Sequence, residues 1–388
     1  MPTRKFAWAE MTTWGWLSDD GNGAAEGLAL DEALMARVSR DAAVPRPALR
    51  LYTYADHAAL VGRYQTLAAE IDVDACLATG TKLSRRPTGG GAIVMGRDQL
   101  GVALALPAKA TSLKALLPEL GAGLVEGLRR IGVQAEFGGK NDLLAGGRKI
   151  AGLGLYMDAK GALLFHSSLL VDLDIDFMLR VLNIPAAKLA DKGAAAVSER
   201  ITTVRRETGQ ELAMDDVRDV IAEGFAARFG VELAPDEFTA DERAVAAQLV
   251  ESRYANPAWL DEQNAQPDGT GSATFRSPDG LVRVFVAAQG SLVKSLQFAG
   301  DFNTVPEGLR RLESALRWRH LNADTMRELV AEVRSDTGAD AGWRRDDDVV
   351  AALLSAGESA LDRCAAPVRP TGSCYFPDQN SPKQGSRL

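Results

Sequence analysis

The stretch RRPTGGGAIVMGRD, residues 85–98, decides how this chain is read. Three consecutive glycines are unfavourable inside a helix or a strand. They supply unusual backbone angles and let a ligand approach the main chain closely. Arg85 and Arg86 beside them offer forked donors suited to a carboxylate or a phosphate. The spacing lacks the lysine of a Walker loop and is not a GxGxxG opening a helix, so neither phosphate motif applies. Taken alone, the stretch is either a ligand-binding bend or a glycine turn with a solvated basic pair.

Working outward, Asn141-Asp142-Leu143 precedes Gly147-Arg148-Lys149-Ile150-Ala151-Gly152. A lysine at the start of an apolar strand must place its charge, and burying an unpaired ammonium costs several kcal/mol. By itself the segment reads as a hairpin with exposed basic residues. The next segment is HSSLLVDLDIDFMLRVL, from His166 to Leu182. On a strand Ser168, not Ser167, shares the face of His166. With no GxSxG elbow, His166 is expected to be structural and not a hydrolase base. His57 and His320 read as structural or surface residues. Cys76, on an expected helix Val73–Thr79, reads as packing.

The periodicities predict helices over Ala24–Val38, Leu116–Ile131, Asp215–Phe229 and Thr239–Val250. They predict strands over Leu49–Tyr54, Ala58–Gly62, Gln99–Leu106, Lys149–Met157 and Gly161–Val171. A polar stretch rich in Pro, Gly and Asn over 254–271 marks a linker. Beyond it lie strands near Val282–Val286 and Leu292–Phe298. A helix near Thr304 follows, where Thr304 and Glu307 make a capping-box pattern with Pro306 in the first turn. Two further helices are expected near Asp324–Val333 and Asp346–Leu361. The expected division is 1–252, a linker 253–271, a small α+β domain 272–366, and a mobile polar tail 367–388.

The composition is that of a globular protein: 388 residues, 46% apolar and 25% charged. A net charge of −8 gives no nucleic-acid footprint. Three scattered cysteines and three histidines argue against a disulfide framework, a cysteine zinc site or a histidine-rich metal centre. Neither a secretory signal nor an apolar membrane span is apparent, so a soluble cytoplasmic protein without membrane partners is expected.

Each signal is weak alone, but their order over residues 25–245 resembles the lipoate–protein ligase family of the biotin/lipoate ligase superfamily. RRPTGGGAIVMGRD approaches the family's RRxxGGGxV pattern, KIAG at Lys149–Gly152 its lysine motif, and His166–Leu182 its HxxLLxxxD motif. GRYQ at Gly62–Gln65 and KLADKGAAAVSERITTV at Lys188–Val204 match further. Gly300–Phe302 with its helices looks like the family's accessory domain. Met95 or Gly96 stands where the family has a histidine, and Ser167 where it has a glycine.

The resemblance implies an α+β fold. It would be a class II synthetase-like catalytic domain, with mixed and antiparallel sheets flanked by helices, plus a small α+β accessory domain. It implies an AMP-forming ligase that uses ATP and Mg²⁺ to activate lipoate. The acyl group would pass to a lysine of a lipoyl carrier, either glycine-cleavage H-like or dehydrogenase E2-like. Lys149 would be catalytic, bridging the acyl carbonyl and the α-phosphate. Arg86, Gly91, Ala92, Ile93, Val94, Asn141, Asp142 and Lys149 would bind ATP or the adenylate. Arg85, Gly89, Gly90, Lys149, Gly152 and His166 would bind lipoate, and Asp142 would meet Mg²⁺. The alternatives are an octanoyltransferase of the same superfamily, whose cysteine would fall in 134–139 or after the His166 motif, and a non-catalytic carrier-binding paralogue.

Overall fold

The computed structural model describes residues 11–39, 42, 44–107, 113–138, 141–183, 198–262 and 270–365. Two compact units emerge. One lies within residues 1–265, 276–282 and 299–306, and the other within 266–275, 283–298 and 307–388. The division is therefore not a single cut near 253–271. Gly300–Phe302, read from the sequence with the small domain, groups with the first unit.

An eight-stranded mixed sheet is the backbone of the first unit. Its strands are β1 (Thr13–Asn22), β2 (Ala48–Tyr54), β6 (Gln99–Pro107), β7 (Ala135–Gly138), β8 (Asp142–Ala145), β9 (Arg148–Met157), β10 (Ala162–Leu170) and β11 (Glu232–Pro235), in the order β11-β1-β2-β6-β10-β9-β8-β7. β11, β1 and β2 run parallel, and the remaining neighbours are antiparallel.

Strand alternation sorts the side chains into two cores. Leu49 and Leu51 of β2, with Phe165 and Leu169 of β10, pack under the helices Leu113–Arg130 and Met214–Phe229. Gly224 makes that helix pair close: a Cβ there would lie 2.2 Å from the Gly127 nitrogen, so the two backbones touch. On the other face Tyr52, Tyr54, Ala103 and Leu164 pack with the helix Ala24–Ala33 and its 3₁₀ extension Leu34–Val38. Arg50, fully buried in that second core, donates to both oxygens of Asp19, to Asp31 at 2.6 Å and to the Gly27 carbonyl. A buried cation survives only with such partners.

A small sheet sets the glycine bend. Its central strand β3 (Ala58–Val61) pairs in parallel with β4 (Lys82–Arg85) and antiparallel with β5 (Ile93–Met95). Residues 86–92 must therefore cross from one edge to the other over the end of β3.

In the second unit the sheet order is β12 (Thr270–Ser277), β13 (Gly280–Gln289), β14 (Leu292–Gly300). The helices are Glu307–Ala315, Ala323–Thr337 and Asp346–Ala365. Leu309, Leu312, Val330, Trp343 and Leu353 are among its buried residues. The first helix starts at Glu307, so Pro306 precedes it, and Thr304 and Glu307 do not stand in the relation a capping box needs. The tail 367–388 lies outside the described residues, as do residues 188–197 of the Lys188–Val204 segment. Among the described residues no helix is long and apolar enough to cross a membrane.

A leucine at position 224 should force the two touching helices apart. Overpacking of this kind costs about 1–3 kcal/mol. Urea unfolding of Gly224→Leu should show that loss, and an unchanged midpoint would contradict the close crossing.

Candidate active site

The bend over β3 is built by exclusion and by one guanidinium. A Cβ on Gly62 would sit 2.0 Å from the Gly90 carbonyl oxygen, and one on Gly89 would sit 1.7 Å from that of Phe302. Gly90 has φ +94° and its N–H donates to the Phe302 carbonyl at 3.0 Å. Gln65 ties the crossing down, accepting from the Gly62 N–H at 2.8 Å and donating to Asp301 at 3.0 Å.

Arg86 reaches into the bend and donates to the carbonyls of Leu60, Gly89 and Gly91. It is buried, and none of its hydrogen-bond partners is a carboxylate. Burial lowers its pKa to about 10.

Arg85, one residue earlier, has a different fate. Its guanidinium donates to the carbonyls of Gly62, Arg63, Gln65, Trp259 and Leu260. Trp259 Nε1 donates back to the Arg85 carbonyl at 2.8 Å. Arg85 does not line the cavity described below, which corrects the expectation that it binds acid or phosphate. Its donors are spent on backbone oxygens.

A cavity of about 360 Å³ opens beneath the bend. Of the residues singled out from the sequence, Arg86, Gly89, Gly90, Gly91, Ala92, Ile93, Val94, Asn141, Lys149, Gly152 and His166 line it. From Ala151 onward the alternation of β9 makes the space: Ala151, Leu153 and Leu155 enter the core, while Gly152 and Gly154 line the cavity, which Leu153 also borders. Added Cβ atoms there would lie 3.3 Å from Lys149 Nζ and from Thr88 Cβ respectively.

Lys149 Nζ is 2.6 Å from Asp142 Oδ1, with about a third of each side chain exposed. The lysine backbone is held on both sides, its N–H by the Arg200 carbonyl and its carbonyl by the Thr202 N–H, each at 2.8 Å. Asn141 donates its amide to the Leu153 carbonyl at 3.2 Å. Asp142 is therefore the counterion of Lys149 and not a cavity-lining residue. Among the described residues no cluster of three or more His, Cys, Asp or Glu side chains could hold a metal ion.

His166 sits on β10 opposite Gly154, buried, with Nε2 3.8 Å from Asp31 Oδ2, too far for a hydrogen bond. Burial, then the positive charges of Arg86 and Arg50, push its pKa down to about 3, so the ring is neutral. Burial raises Asp31, which accepts from Tyr52 at 2.7 Å, to about 6.

Several lining residues were not legible as such. Tyr52, Thr88 and Met95 look like ordinary strand or turn residues. Asp301 lies 210 positions past the bend, and only the flagged Gly300–Phe302 segment hinted at it. Met95, one of the two residues where the resemblance expects a histidine, accepts from the Ser168 hydroxyl at 2.9 Å. Cys76 is packed as expected, its thiol 3.9 Å from the Val181 carbonyl, and burial raises its pKa. His57 is exposed and lies tilted against Phe177, with ring centroids 4.5 Å apart and 42° between the ring planes.

Comparison with known proteins gives this site a class. The chain is 32% identical to the octanoyltransferase LipM of Kyrpidia tusciae over 274 residues, covering 64% of this chain and 98% of that protein. It is similar to the structure of a bi-partite lipoate protein ligase from Thermoplasma acidophilum, described with its E2 lipoyl domain. There the TM-score is 0.59 with 27% identity, covering 66% of this chain and 99% of the other. A crystal structure of lipoate-protein ligase A bound with ATP matches with a TM-score of 0.57 and 26% identity, over 65% of this chain and 99% of that one. Fold and cavity thus define an enzyme of the lipoate ligase and octanoyltransferase superfamily, with the class II synthetase-like fold. The model of the lipoyl protein ligase A/B catalytic domain matches residues 23–226, and the chain belongs to that family.

The neutral His166 has a consequence for pH. The unfolded chain takes up a proton near pH 6.5, whereas the folded ring resists one down to about 3. Between those values the histidine binds fewer protons in the native state, so its contribution to stability falls as pH drops through the window, by up to about 1.4 kcal/mol per pH unit, while Asp31, raised to about 6, acts in the opposite sense below that value. His166→Gln should remove the histidine's share, so that the variant loses less stability than the wild type between pH 6.5 and 3 in urea unfolding, and identical profiles would exclude the histidine as a source.

Proposed function

We propose that the chain is a lipoate–protein ligase, which activates lipoate with ATP to lipoyl-AMP and passes the acyl group to a lysine of a lipoyl carrier domain. The observation that carries this reading is the placing of one ammonium and one guanidinium in a single cavity. Lys149 is aimed by Asp142, and Arg86 is buried in the glycine bend without a carboxylate partner.

A carboxylate is a poor acyl donor because its leaving group is oxide. Attack of the lipoate carboxylate on the α-phosphorus of ATP forms the C–O–P bond and expels pyrophosphate. The carrier lysine, as free amine, then attacks the carbonyl carbon, AMP leaves, and the amine proton is lost. Both steps gather negative charge where two anions already meet. A preorganised cation there contributes by position and by field.

Lys149 is suited to bridge the acyl carbonyl and the α-phosphate, since an ammonium has three donors and Asp142 takes one. Arg86 uses three of its five N–H groups on carbonyls and has two left for phosphate oxygens. The backbone of Gly91–Val94 with Asn141 would hold the nucleotide. His166, neutral, would lie against the acid with Gly89, Gly90 and Gly152. Magnesium arriving with ATP would be held chiefly by phosphates and water. Asp142 is engaged by Lys149, and no step is assigned to the ion.

The second reading, an octanoyltransferase, is favoured by the name of the Kyrpidia relative. An acyl exchange that passes through an enzyme thioester needs a thiolate at the reacting carbon. Among the described residues no cysteine lines the cavity, and Cys76 is buried elsewhere. Residues 134–139 contain none either.

Lipoate-dependent ATP–pyrophosphate exchange tests the choice. The wild type should exchange, and Lys149→Ala should lose at least about 100-fold while its circular dichroism is unchanged. Octanoyl transfer from a carrier thioester without ATP would establish the second reading instead. Silence in both assays, with carrier binding retained, would leave a binding paralogue.

A further inference from the structure

Among the described residues, one amino acid other than glycine has a positive φ: Trp318, at +63°. It lies in the short connection between the helices Glu307–Ala315 and Ala323–Thr337 of the second unit. A bulky residue in the left-handed region is strained, and the strain persists only where the surroundings enforce it. Here β14 enforces it. The Trp318 N–H donates to the Val293 carbonyl at 2.7 Å, the Val293 N–H to the Arg319 carbonyl at 2.9 Å, and His320 bridges to Leu292.

The strained tryptophan is not buried. Half of its surface is exposed, and Arg317, Arg319 and His320 around it are exposed too. Arg310 and Arg311 pair with Glu307, Arg327 with Asp324 and Arg334 with Asp346, whereas Arg344 and Arg345 are exposed and, among the described residues, without an ion pair, but flank no strained aromatic. Among the described residues neither Arg317 nor Arg319 forms an ion pair. The fold thus spends strain to hold out a rigid aromatic between two unsatisfied guanidinium groups, the residue types that dominate protein–protein binding energy.

We infer that the Arg317–His320 knuckle is a docking point for the carrier domain, gripping carboxylates on its surface while Trp318 packs between them. This rests on the proposed carrier-modifying function. Charge supports an acidic protein partner. The chain carries −8 overall, so it repels acidic surfaces except where a local cationic site invites them. Two free arginines match a pair of carboxylates bidentately, whereas a nucleic acid would require many more phosphates to be neutralised.

The experiment measures binding of purified apo lipoyl carrier domains, of the H and E2 types, to the full chain, without ATP or lipoate. It therefore does not depend on the acyl chemistry, which ATP–pyrophosphate exchange follows separately. Arg317→Glu/Arg319→Glu should weaken carrier binding at least about tenfold and abolish its salt dependence, with exchange at the wild-type rate. Trp318→Gly suits the backbone angle, keeps the fold by circular dichroism, and should weaken binding similarly. Carrier binding unaltered in both variants overturns the inference, as does failure of the wild type to bind either carrier. Binding of poly(U) that both variants lose, with carrier affinity intact, would assign the knuckle to RNA instead.

Discussion

The cavity depends on a crossing. Because β4 and β5 flank β3, the chain between them must pass over the end of that strand, and no side chain fits where Gly62 meets Gly90. The Arg86 guanidinium then draws the carbonyls of Leu60, Gly89 and Gly91 around itself. A cation surrounded by neutral oxygens is poorly compensated, and burial lowers its pKa to about 10. The same interaction that shapes the bend leaves a positive potential on the cavity wall.

Neighbouring arginines illustrate what the sequence withheld. Both look like candidate anion binders, and nothing in the string RR tells them apart. The difference is positional: Arg85 is the last residue of β4, level with Val61, and points at the segment 257–262, where carbonyls consume it. Arg86 is the first residue past the strand and turns into the bend.

The elements with strong periodicity were legible. The helices over 24–38, 113–130 and 214–229 and the strands β2, β3, β6, β9 and β10 fall close to where apolar spacing put them, because each buries one face, whereas the short strands β4, β5, β7 and β8 carry too few residues to show a period. The cavity-facing glycines of KIAGLGL were legible only in part. Gly152 was singled out as a motif member, but the alternation of core leucines with bare positions along β9 makes the space. The Arg50–Asp31–Tyr52 network could not be read at all. Asp31 looks like a polar residue on a helix, yet it is buried against β2, and only tertiary pairing supplies its arginine. Thr304 and Glu307 carry the capping-box residue types, yet the helix starts at Glu307, three residues past the threonine, and the preceding Phe302 carbonyl is taken by the Gly90 N–H.

The charges beneath the bend form one system. Arg50 is neutralised by Asp19 and Asp31 and Lys149 by Asp142, while Arg86 accepts only neutral partners. His166 responds by staying unprotonated, since burial and the two guanidinium groups oppose a third buried positive charge. Kept neutral, the ring offers the cavity one donor and one acceptor without adding a third positive charge beside the Lys149 ammonium and the Arg86 guanidinium.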